Sequence, residues 1–435
     1  MNPKSIVPLS ARKAAYRFKD HFQLFVANVL RLIPGLARVL GIPVRRVKSI
    51  KTYIAAVRGN RIWSARMRSP LYTTLFPATQ VVPAKPKCPT ATSEPMFCTP
   101  VTSNKSYNYW DIRSGFDSRK GFCVKHLLQY DEVFLAYIPN GRILGPSGVV
   151  LSEKMELFEE SIWTWERWVE RDRAMRAWRL PAPEKIDSPC YVVTSKYTDG
   201  YPHWLMESLP RLYGLKSLPK GLKPTLIFPK ALKQWHIDTI NLLGFGDYPR
   251  LILDDKFYEV AHLYLPSFVG LPGTPHREGM QWVVDTIKSN LDITPGKERI
   301  YITRRLVNRR VVLNEAELIP ILEKYGFKVL EAETLSFAEQ VKYFSRAEAI
   351  VTSHGAGLAN IMFAPKGCKV LEILDMNYVN DHYYNLAGVF DLDYYYQLCT
   401  SYNYDNHLPL VLSCDDISIS PALLEVSLKA MFPQG

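Results

Sequence analysis

The chain lacks three features that would each indicate a particular class of protein. Its seven cysteines are odd in number, and no two stand in a Cys-x-x-Cys spacing. A disulfide framework and a structural zinc site are therefore not expected, and isolated thiols suit a reducing compartment. The sequence contains no run of about 18 consecutive apolar residues, so no transmembrane helix is predicted. The N-terminus also lacks the charged, apolar and small-residue order of a secretory signal.

Acidic residues are almost missing from one region. The 435 residues include 54 Lys or Arg and 42 Asp or Glu, which gives a net charge of +12. Residues 1–70, here called the basic arm, hold 15 Lys or Arg and the single acid Asp20. The arm therefore carries +14 and the rest of the chain −2. The remaining body gives no reason to expect a polyanionic substrate.

The basic arm contains an amphipathic pattern. Over residues 21–42, apolar side chains recur at helical spacing, interrupted by Arg31, Pro34 and Arg38. Such a helix can lie on an anionic membrane surface, or pack on its own globule with a solvated basic face. Basic arms also bind nucleic acid, but no nucleic-acid-binding fold accompanies this one. We predict a cytoplasmic protein that the arm can hold at the inner face of a membrane, with organelle targeting as the alternative.

The sequence pattern changes at residue 190. Residues 71–189 are interpreted as a linker and accessory region, because 70–105 are rich in Pro, Thr and Ser and 158–180 predict a Trp-rich helix. From residue 190, strand and helix patterns alternate in two series, which predicts parallel sheets. We predict one Rossmann-like domain over 190–291, a second over 292–400, and a C-terminal tail over 401–435. The predicted strands cover 190–195, 224–229, 251–255, 262–266, 299–304, 328–332, 348–353 and 368–374. The predicted helices cover 203–215, 231–245, 273–291, 314–327, 336–347 and 354–365.

Two candidate phosphate-binding groups follow predicted strands of the second domain. The turn His-Gly-Ala-Gly at 354–357 opens a helix, whose free amides and positive end attract a diphosphate. His354 could also donate a hydrogen bond to a phosphate oxygen. Four arginines at 304, 305, 309 and 310 follow strand 299–304 and offer bidentate donors. Alternatively, the glycines of the turn serve only the geometry of the chain, and the four arginines form a solvated basic loop.

Two carboxylates are candidates for other roles. Glu372 interrupts an apolar strand and needs a partner, which could be a ribose hydroxyl or a nearby Arg. His203 and Glu207 stand four residues apart on one predicted helix face. Such a pair can poise a carboxylate as a general base, or it can be structural. The pair lacks the His-Glu-x-x-His pattern of zinc sites.

An Asp-x-Asp pair, Asp391 and Asp393, lies in an aromatic, strand-like run. Metal-dependent transferases use such pairs, but this setting does not favour a metal site. We therefore predict no divalent metal and no cofactor.

Together these residues resemble glycosyltransferase family 61. The pattern begins with Tyr301-Ile-Thr-Arg304-Arg305 and Arg310-Val-Val-Leu-Asn314-Glu315, followed by Gly326-Phe327, Glu339-Gln340, His354-Gly355-Ala356-Gly357-Leu358 and Glu372. Upstream, His203-Trp204-Leu205-Met206-Glu207 and Leu209-Pro210-Arg211 resemble the motif of the family's amino-terminal domain. The resemblance covers about residues 190–400.

The resemblance implies an α/β, GT-B-like fold with two Rossmann-like domains facing a cleft, beside the basic helical arm. It implies a nucleotide-sugar donor, usually a UDP-sugar, and inverting transfer to a hydroxyl. Glu207, paired with His203, would be the base; related members carry Asp at this position, so Glu is a departure. Glu372 would bind ribose. The diphosphate and nucleotide would be held by Arg304, Arg305, Arg310, His354, Gly355, Ala356 and Gly357.

The expected activity is metal-independent transfer of a sugar to a glycan or lipid-linked acceptor, in surface or capsular polysaccharide biosynthesis. Arginines and a helix N-terminus can stabilise a departing diphosphate in place of a metal. The expected partners are the donor, the acceptor and an anionic membrane surface, without nucleic acid. Two alternatives stay open: another GT-B-like nucleotide-sugar enzyme such as an epimerase, and a non-catalytic membrane-surface scaffold.

Overall fold

A computed structural model describes residues 44–48, 72–76, 79–81, 97–98, 124–125, 128–130, 132–162, 180, 182–193, 197–229, 231–271, 274–375, 380–401 and 416–433. Most of the basic arm and of the helix predicted over 158–180 lies outside these residues. The described chain is mixed α/β and contains two large sheets. None of its described helices is long and apolar enough to cross a membrane.

The strands are numbered in chain order. The first fourteen are β1 Val44–Lys48, β2 Tyr72–Phe76, β3 Thr79–Val81, β4 Phe97–Cys98, β5 Val124–Lys125, β6 Leu128–Tyr130, β7 Val133–Leu144, β8 Val149–Leu151, β9 Glu156–Phe158, β10 Glu184–Ile186, β11 Cys190–Val192, β12 Thr225–Phe228, β13 Arg250–Ile252 and β14 Phe257–Pro266. The remaining strands are β15 Gly270–Leu271, β16 Thr274–Pro275, β17 Glu298–Ile302, β18 Phe327–Leu330, β19 Ala347–Ser353, β20 Lys369–Asp375, β21 Asp393–Ser401 and β22 Ile417–Ser418.

The longer helices are α1 Gln234–Leu242, α2 Arg277–Ser289, α3 Glu315–Lys324, α4 Phe337–Ser345, α5 His382–Val389 and α6 Pro421–Met431. A helical segment over 201–217 changes type along its length: α-helical at Tyr201–His203, π-helical at Trp204–Ser208 and 3-10 at Leu209–Ser217. Ala356–Phe363 is a 3-10 helix, and shorter 3-10 turns cover Glu159–Ser161 and Ala332–Thr334.

The first sheet has the order β1-β9-β8-β7-β14-β11-β12-β13, with β10 beside β14 and β2 beside β7. Strands β14, β11, β12 and β13 are parallel, whereas β7 pairs antiparallel with β14 from Leu135↔Pro266 to Leu144↔Phe257. This sheet therefore begins well before residue 190, where the sequence predicted the first domain to start. Short turns join β7, β8 and β9, so strands and helices do not alternate over residues 133–158. That alternation was the pattern from which the domain start at residue 190 was predicted.

The second sheet has the order β18-β17-β19-β20-β21-β22, and all but β22 are parallel. In chain order the five parallel strands run 2-1-3-4-5, so the topology reverses between β17 and β19. Ligands of open α/β sheets bind outside the carboxyl ends of the strands at such a switch point. The first sheet has a comparable reversal between β11 and β14.

One apolar core contains residues of both sheets, among them Tyr191, Leu226, Ile302, Leu358 and Val370. The helical segment that follows β11 also contacts the 3-10 helix that follows β19. The loops after the two switch-point strands β11 and β19 are therefore neighbours.

Each strand and helix predicted over residues 190–375 has a counterpart, with ends shifted by a few residues. β14 starts at Phe257, earlier than the predicted 262, and the helix predicted over 354–365 is a 3-10 helix.

Candidate active site

Arg304 and Gly355 meet at the switch point of the second sheet. Arg304 follows β17 and Gly355 follows β19, its neighbour. The Arg304 guanidinium crosses directly over Gly355: a Cβ there would overlap Nη1 and lie 2.7 Å from Cζ. Gly355 has an extended backbone with φ −176°, so glycine is needed for space rather than for a left-handed conformation. The glycine lets a cation lie against the start of the 356–363 helix.

The backbone of the following loop holds Arg304 in place. Its Nε donates to the Arg310 carbonyl at 3.2 Å, and its Nη2 to the Arg309 carbonyl at 2.8 Å. Arg310 adopts a left-handed φ of +55°, an uncommon conformation for a residue with a side chain. Burial and the nearby Arg310 lower the pKa of Arg304 to about 10, so it stays a cation at neutral pH.

The other predicted phosphate ligands differ in position. Arg305 is more than half exposed and forms an ion pair with Glu331, whereas Arg310 is half-buried and near both Arg304 and His354. Ala356 is exposed at the start of the 3-10 helix. A Cβ on Gly357 would meet only Ile302 Cγ2, at 4.0 Å.

His354 belongs to a buried hydrogen-bonded chain. Its Nδ1 contacts Oε1 of Glu372, while Tyr394 donates its hydroxyl to Oε2 at 2.5 Å. Because a carboxylate only accepts, Nδ1 carries the ring proton. Glu372 has no exposed surface, and both oxygens are engaged within the protein. The structure therefore places Glu372 behind His354, in a position to orient the imidazole; the ribose contact stays a prediction.

Asn380 occupies the other side of the His354 ring. Its Oδ1 accepts from the His382 backbone N–H at 3.3 Å, which orients Nδ2 toward His354 Nε2 at 3.1 Å. Nε2 of the neutral ring is thus an acceptor. Burial lowers the pKa of His354, Glu372 opposes this, and Arg310 and Arg304 lower it further; the net shift is downward. To donate to a phosphate oxygen, as predicted, His354 Nε2 must first gain a proton.

A second histidine–carboxylate pair lies in the first half of the chain. His203 Nδ1 is 2.7 Å from Oε1 of Glu207, as the i, i+4 spacing predicted. Glu207 sits in the π-helical turn, a wider coil that often occurs at functional sites. Burial lowers the pKa of His203, but the Glu207 charge, its hydrogen bond and Asp199 together raise it above its usual range.

Neighbouring groups fix the His203 ring. The Tyr197 ring packs on it with centroids 5.3 Å apart. A Cβ at Gly200 would lie 3.2 Å from His203 Cδ2, so the glycine fits closely against this ring edge. These contacts leave the imidazole little freedom to rotate.

Arg211, from the predicted Leu-Pro-Arg motif, is fully buried and interacts with the Glu207 charge. Its Nη2 donates to the Pro266 carbonyl at 2.5 Å, and its own carbonyl accepts the Tyr191 hydroxyl at 2.5 Å. Burial lowers the pKa of Arg211 to about 10, so it remains positive. It ties the helical segment to the ends of β11 and β14.

A short hydrogen-bonded chain joins the segments that carry the two histidine–carboxylate pairs. Tyr201 donates its hydroxyl to Asn360 Oδ1 at 2.6 Å, and Asn360 Nδ2 donates to Gln340 Oε1 at 2.7 Å. Tyr201 is two residues from His203, and Asn360 lies in the helix that follows His354. The two histidine–carboxylate pairs therefore lie on adjoining segments, one from the half of the molecule built on the first sheet and one from the half built on the second sheet.

The Asp-x-Asp pair does not form a cluster of ligands in the structure. Asp391 forms an ion pair with Arg277 at 3.0 Å and is 3.5 Å from Lys366, while Asp393 begins β21. Among the described residues no group of three or more His, Cys, Asp or Glu side chains is placed to hold a metal ion.

Comparison with protein families agrees with this arrangement. Residues 201–371 match the glycosyltransferase 61 family. The match confirms the predicted resemblance over this stretch and supports glycosyltransferase activity. It includes the loops after β17 and β19 and nine of the ten predicted site residues; Glu372 is the next residue beyond it.

Curated relatives carry the name protein O-linked-mannose beta-1,4-N-acetylglucosaminyltransferase 2. The Homo sapiens protein is 35% identical over 98 residues, covering 22% of this chain and 17% of the relative. The Mus musculus protein is 35% identical over 91 residues, covering 20% and 16%. The Xenopus laevis protein is 31% identical over 114 residues, covering 26% and 20%. The chain thus spans at most a fifth of the length of these relatives.

Sequence reasoning missed three of the residues that shape the site. Asn380 lies in a segment where no motif was recognised, Tyr394 directly follows the Asp-x-Asp pair, and Tyr197 lies in the loop before the predicted helix. The aromatic, strand-like run that contains Tyr394 offered a signal for this residue. No pattern in the sequence distinguishes Asn380 or Tyr197 from ordinary loop residues.

Proposed function

We propose that the chain is an inverting glycosyltransferase that moves a sugar from a UDP-sugar to an acceptor hydroxyl between its two halves. The observation that carries the proposal is the Arg304 guanidinium lying over Gly355 at the β17/β19 switch point. It puts a cation and the start of a helix where a parallel sheet binds ligands.

On the donor side, Arg304 would contact the diphosphate together with Arg310 and the amides of 355–357. His354, once protonated, would add a second charged donor. Such fixed positive groups stabilise the charge that develops on a departing diphosphate. Arg305, held by Glu331, would have to leave that ion pair to take part.

On the acceptor side, the His203–Glu207 pair would remove the proton of the attacking hydroxyl. Inverting transfer needs the attacking oxygen and the leaving diphosphate on opposite faces of the donor sugar. The Tyr201–Asn360 hydrogen bond supports this arrangement, because it joins the segment that carries His203 to the helix that follows His354. Positioning of this kind contributes a large part of enzymatic rate enhancement.

The names of the relatives suggest the first substrates to test. They transfer N-acetylglucosamine to an O-linked mannose, so UDP-N-acetylglucosamine is the first donor and a mannoside the first acceptor. A lipid-linked glycan in surface-polysaccharide assembly stays the alternative acceptor. In that case the basic arm would hold the enzyme at an anionic membrane, and deleting residues 1–70 should abolish co-sedimentation with anionic vesicles.

The test is calorimetric titration with UDP. Wild-type protein should bind, and Arg304→Ala should lose about 2–3 kcal/mol of binding free energy, as expected for charged hydrogen bonds. Arg346→Gln is the matched control, because Arg346 pairs with Glu298 at the opposite end of β17, at 3.2 Å. Equal affinity in wild-type and Arg304→Ala protein would remove Arg304 from the donor site.

Product analysis separates the alternatives. A glycosyltransferase forms an inverted glycoside only when acceptor is added, whereas an epimerase changes the nucleotide sugar without one. A scaffold would bind no nucleotide at all.

A further inference from the structure

We propose that His203, rather than Glu207, takes the proton of the acceptor hydroxyl, and that Glu207 orients the imidazole and balances its charge. The proposal rests on the glycosyltransferase function argued above and assigns its acceptor-side chemistry. It reverses the sequence prediction, in which Glu207 was the base.

Exposure separates the two members of the pair. The Glu207 side chain is 4% exposed, while that of His203 is 27% exposed. Glu207 Oε1 is already in contact with His203 Nδ1, and the carboxylate also interacts with the fully buried Arg211. An acceptor hydroxyl therefore reaches the histidine before it reaches the carboxylate.

The hydrogen bond between the two side chains sets the tautomer. An ionised carboxylate only accepts, so Nδ1 of His203 carries the proton, and Nε2 of the neutral ring holds the basic lone pair. Nε2 lies on the side of the ring away from Glu207. A carboxylate that holds an imidazole in this way fixes its orientation and stabilises the imidazolium that forms during the reaction.

The proposed step is balanced. As the acceptor oxygen bonds to the anomeric carbon of the donor, its proton moves to His203 Nε2. The bond from the anomeric carbon to the diphosphate oxygen breaks, and that oxygen keeps the electron pair. The imidazolium then faces the Glu207 carboxylate, and its proton returns to solvent after product release.

The charges around His203 suit this role. The charges of Glu207, from its own helical segment, and of Asp199, from the preceding loop, act on the ring, and the Tyr197 ring packs against it. Lys233, before α1, donates to the Asp199 backbone carbonyl at 2.9 Å. Because the acids outweigh burial, the pKa of His203 is raised. The rate of transfer should therefore rise with pH as the ring loses its second proton.

The experiment compares His203→Gln with Glu207→Gln, using UDP-N-acetylglucosamine with a mannoside acceptor and, separately, UDP binding. His262→Gln is the matched control. His262 is an exposed histidine of β14, and its Nδ1 lies 2.6 Å from the Tyr137 hydroxyl. We expect His203→Gln to lose about 100-fold or more in kcat, the usual contribution of a general base, with UDP affinity unchanged. Added imidazole should restore part of the rate of His203→Ala.

The pH profile supplies a second readout. In Glu207→Gln the rise in kcat/KM should move to lower pH, because His203 loses the charge that raises its pKa. Removal of a general base should lower kcat by more than about tenfold. A kcat of His203→Gln within about tenfold of the wild-type value would therefore overturn the proposal. Wild-type protein that binds no UDP would instead contradict the glycosyltransferase function itself.

Discussion

The two histidine–carboxylate pairs use the same chemistry in opposite surroundings. His203 lies near two carboxylates, those of Glu207 and Asp199, and its side chain is 27% exposed. His354 and Glu372 lie beside two arginines, and that histidine side chain is 9% exposed. The pKa of His203 is raised and that of His354 is lowered, although each Nδ1 meets a carboxylate. The comparison teaches that neighbouring charge and burial, rather than the contact with a carboxylate, decide whether the pKa of a histidine is raised or lowered.

The largest effect should come from removing the cation beside His354. In Gly355→Ala the new Cβ overlaps Nη1 of Arg304 and displaces the guanidinium. We expect a loss of about 2–3 kcal/mol in UDP binding, roughly 30- to 150-fold, together with a rise in the pKa of His354. Calorimetry and NMR titration would measure the two effects.

Gly357→Ala is the matched control for this change, since its Cβ would meet only Ile302 at 4.0 Å. Its melting temperature should equal that of wild type. If Gly355→Ala bound UDP as tightly as wild type, the role given to the Arg304–Gly355 contact would be wrong.

The buried carboxylate should matter more to stability than an exposed one. Glu372→Gln alters two buried hydrogen bonds, from His354 and Tyr394, so we expect a loss of about 1–3 kcal/mol in the free energy of unfolding. Glu259→Gln breaks a partly exposed pair with Arg142, whose side chains are 24% (Arg142) and 21% (Glu259) exposed, and should cost less than about 1 kcal/mol. Urea denaturation would compare them, and equal losses would contradict the assigned role of burial.

Donor affinity should depend on pH through His354. The ring is neutral at pH 7 because its pKa is lowered, yet a diphosphate favours the protonated form. Binding should therefore strengthen as pH falls, by at most about tenfold per pH unit for one coupled proton. A UDP-sugar is the right probe, since its phosphates do not titrate near neutrality.

His354→Gln should remove this dependence, and His262→Gln should keep it. An unchanged pH profile in His354→Gln would show that another group takes up the proton.

The smallest effect should come from the hydrogen bond between the two halves. Tyr201→Phe removes the donor to Asn360 and should cost about 1 kcal/mol of stability, the usual net value of one hydrogen bond. It should lower kcat more than UDP affinity, because the proposed UDP contacts all lie in the loops after β17 and β19. Steady-state kinetics with calorimetry would check this, and a loss confined to UDP affinity would contradict it.

The sequence predicted the elements of residues 190–375 well because β-branched runs and amphipathic helices leave clear local patterns. Arg304 and His354 were placed at strand ends on that basis, and the structure confirms both positions. The overlap of Arg304 with Gly355 was beyond sequence reasoning, since it depends on β17 and β19 being neighbours in the sheet.

Other features arose from long-range packing. Strands β7 to β9 join the first sheet through β14, a pairing that no local pattern indicates. The exposure of His203 and the burial of Glu207 are properties of the folded chain, in which Glu207 lies in the π-helical turn and His203 just before it. The spacing of four residues predicted their contact but could not indicate which of them faces the substrate.

A crystal structure with UDP-N-acetylglucosamine tests the central claim most directly. The account predicts the diphosphate within hydrogen-bonding distance of Arg304 and the 355–357 amides, with His203 Nε2 facing the anomeric carbon. A nucleotide bound away from the β17/β19 switch point, or a sugar out of reach of His203, would contradict it.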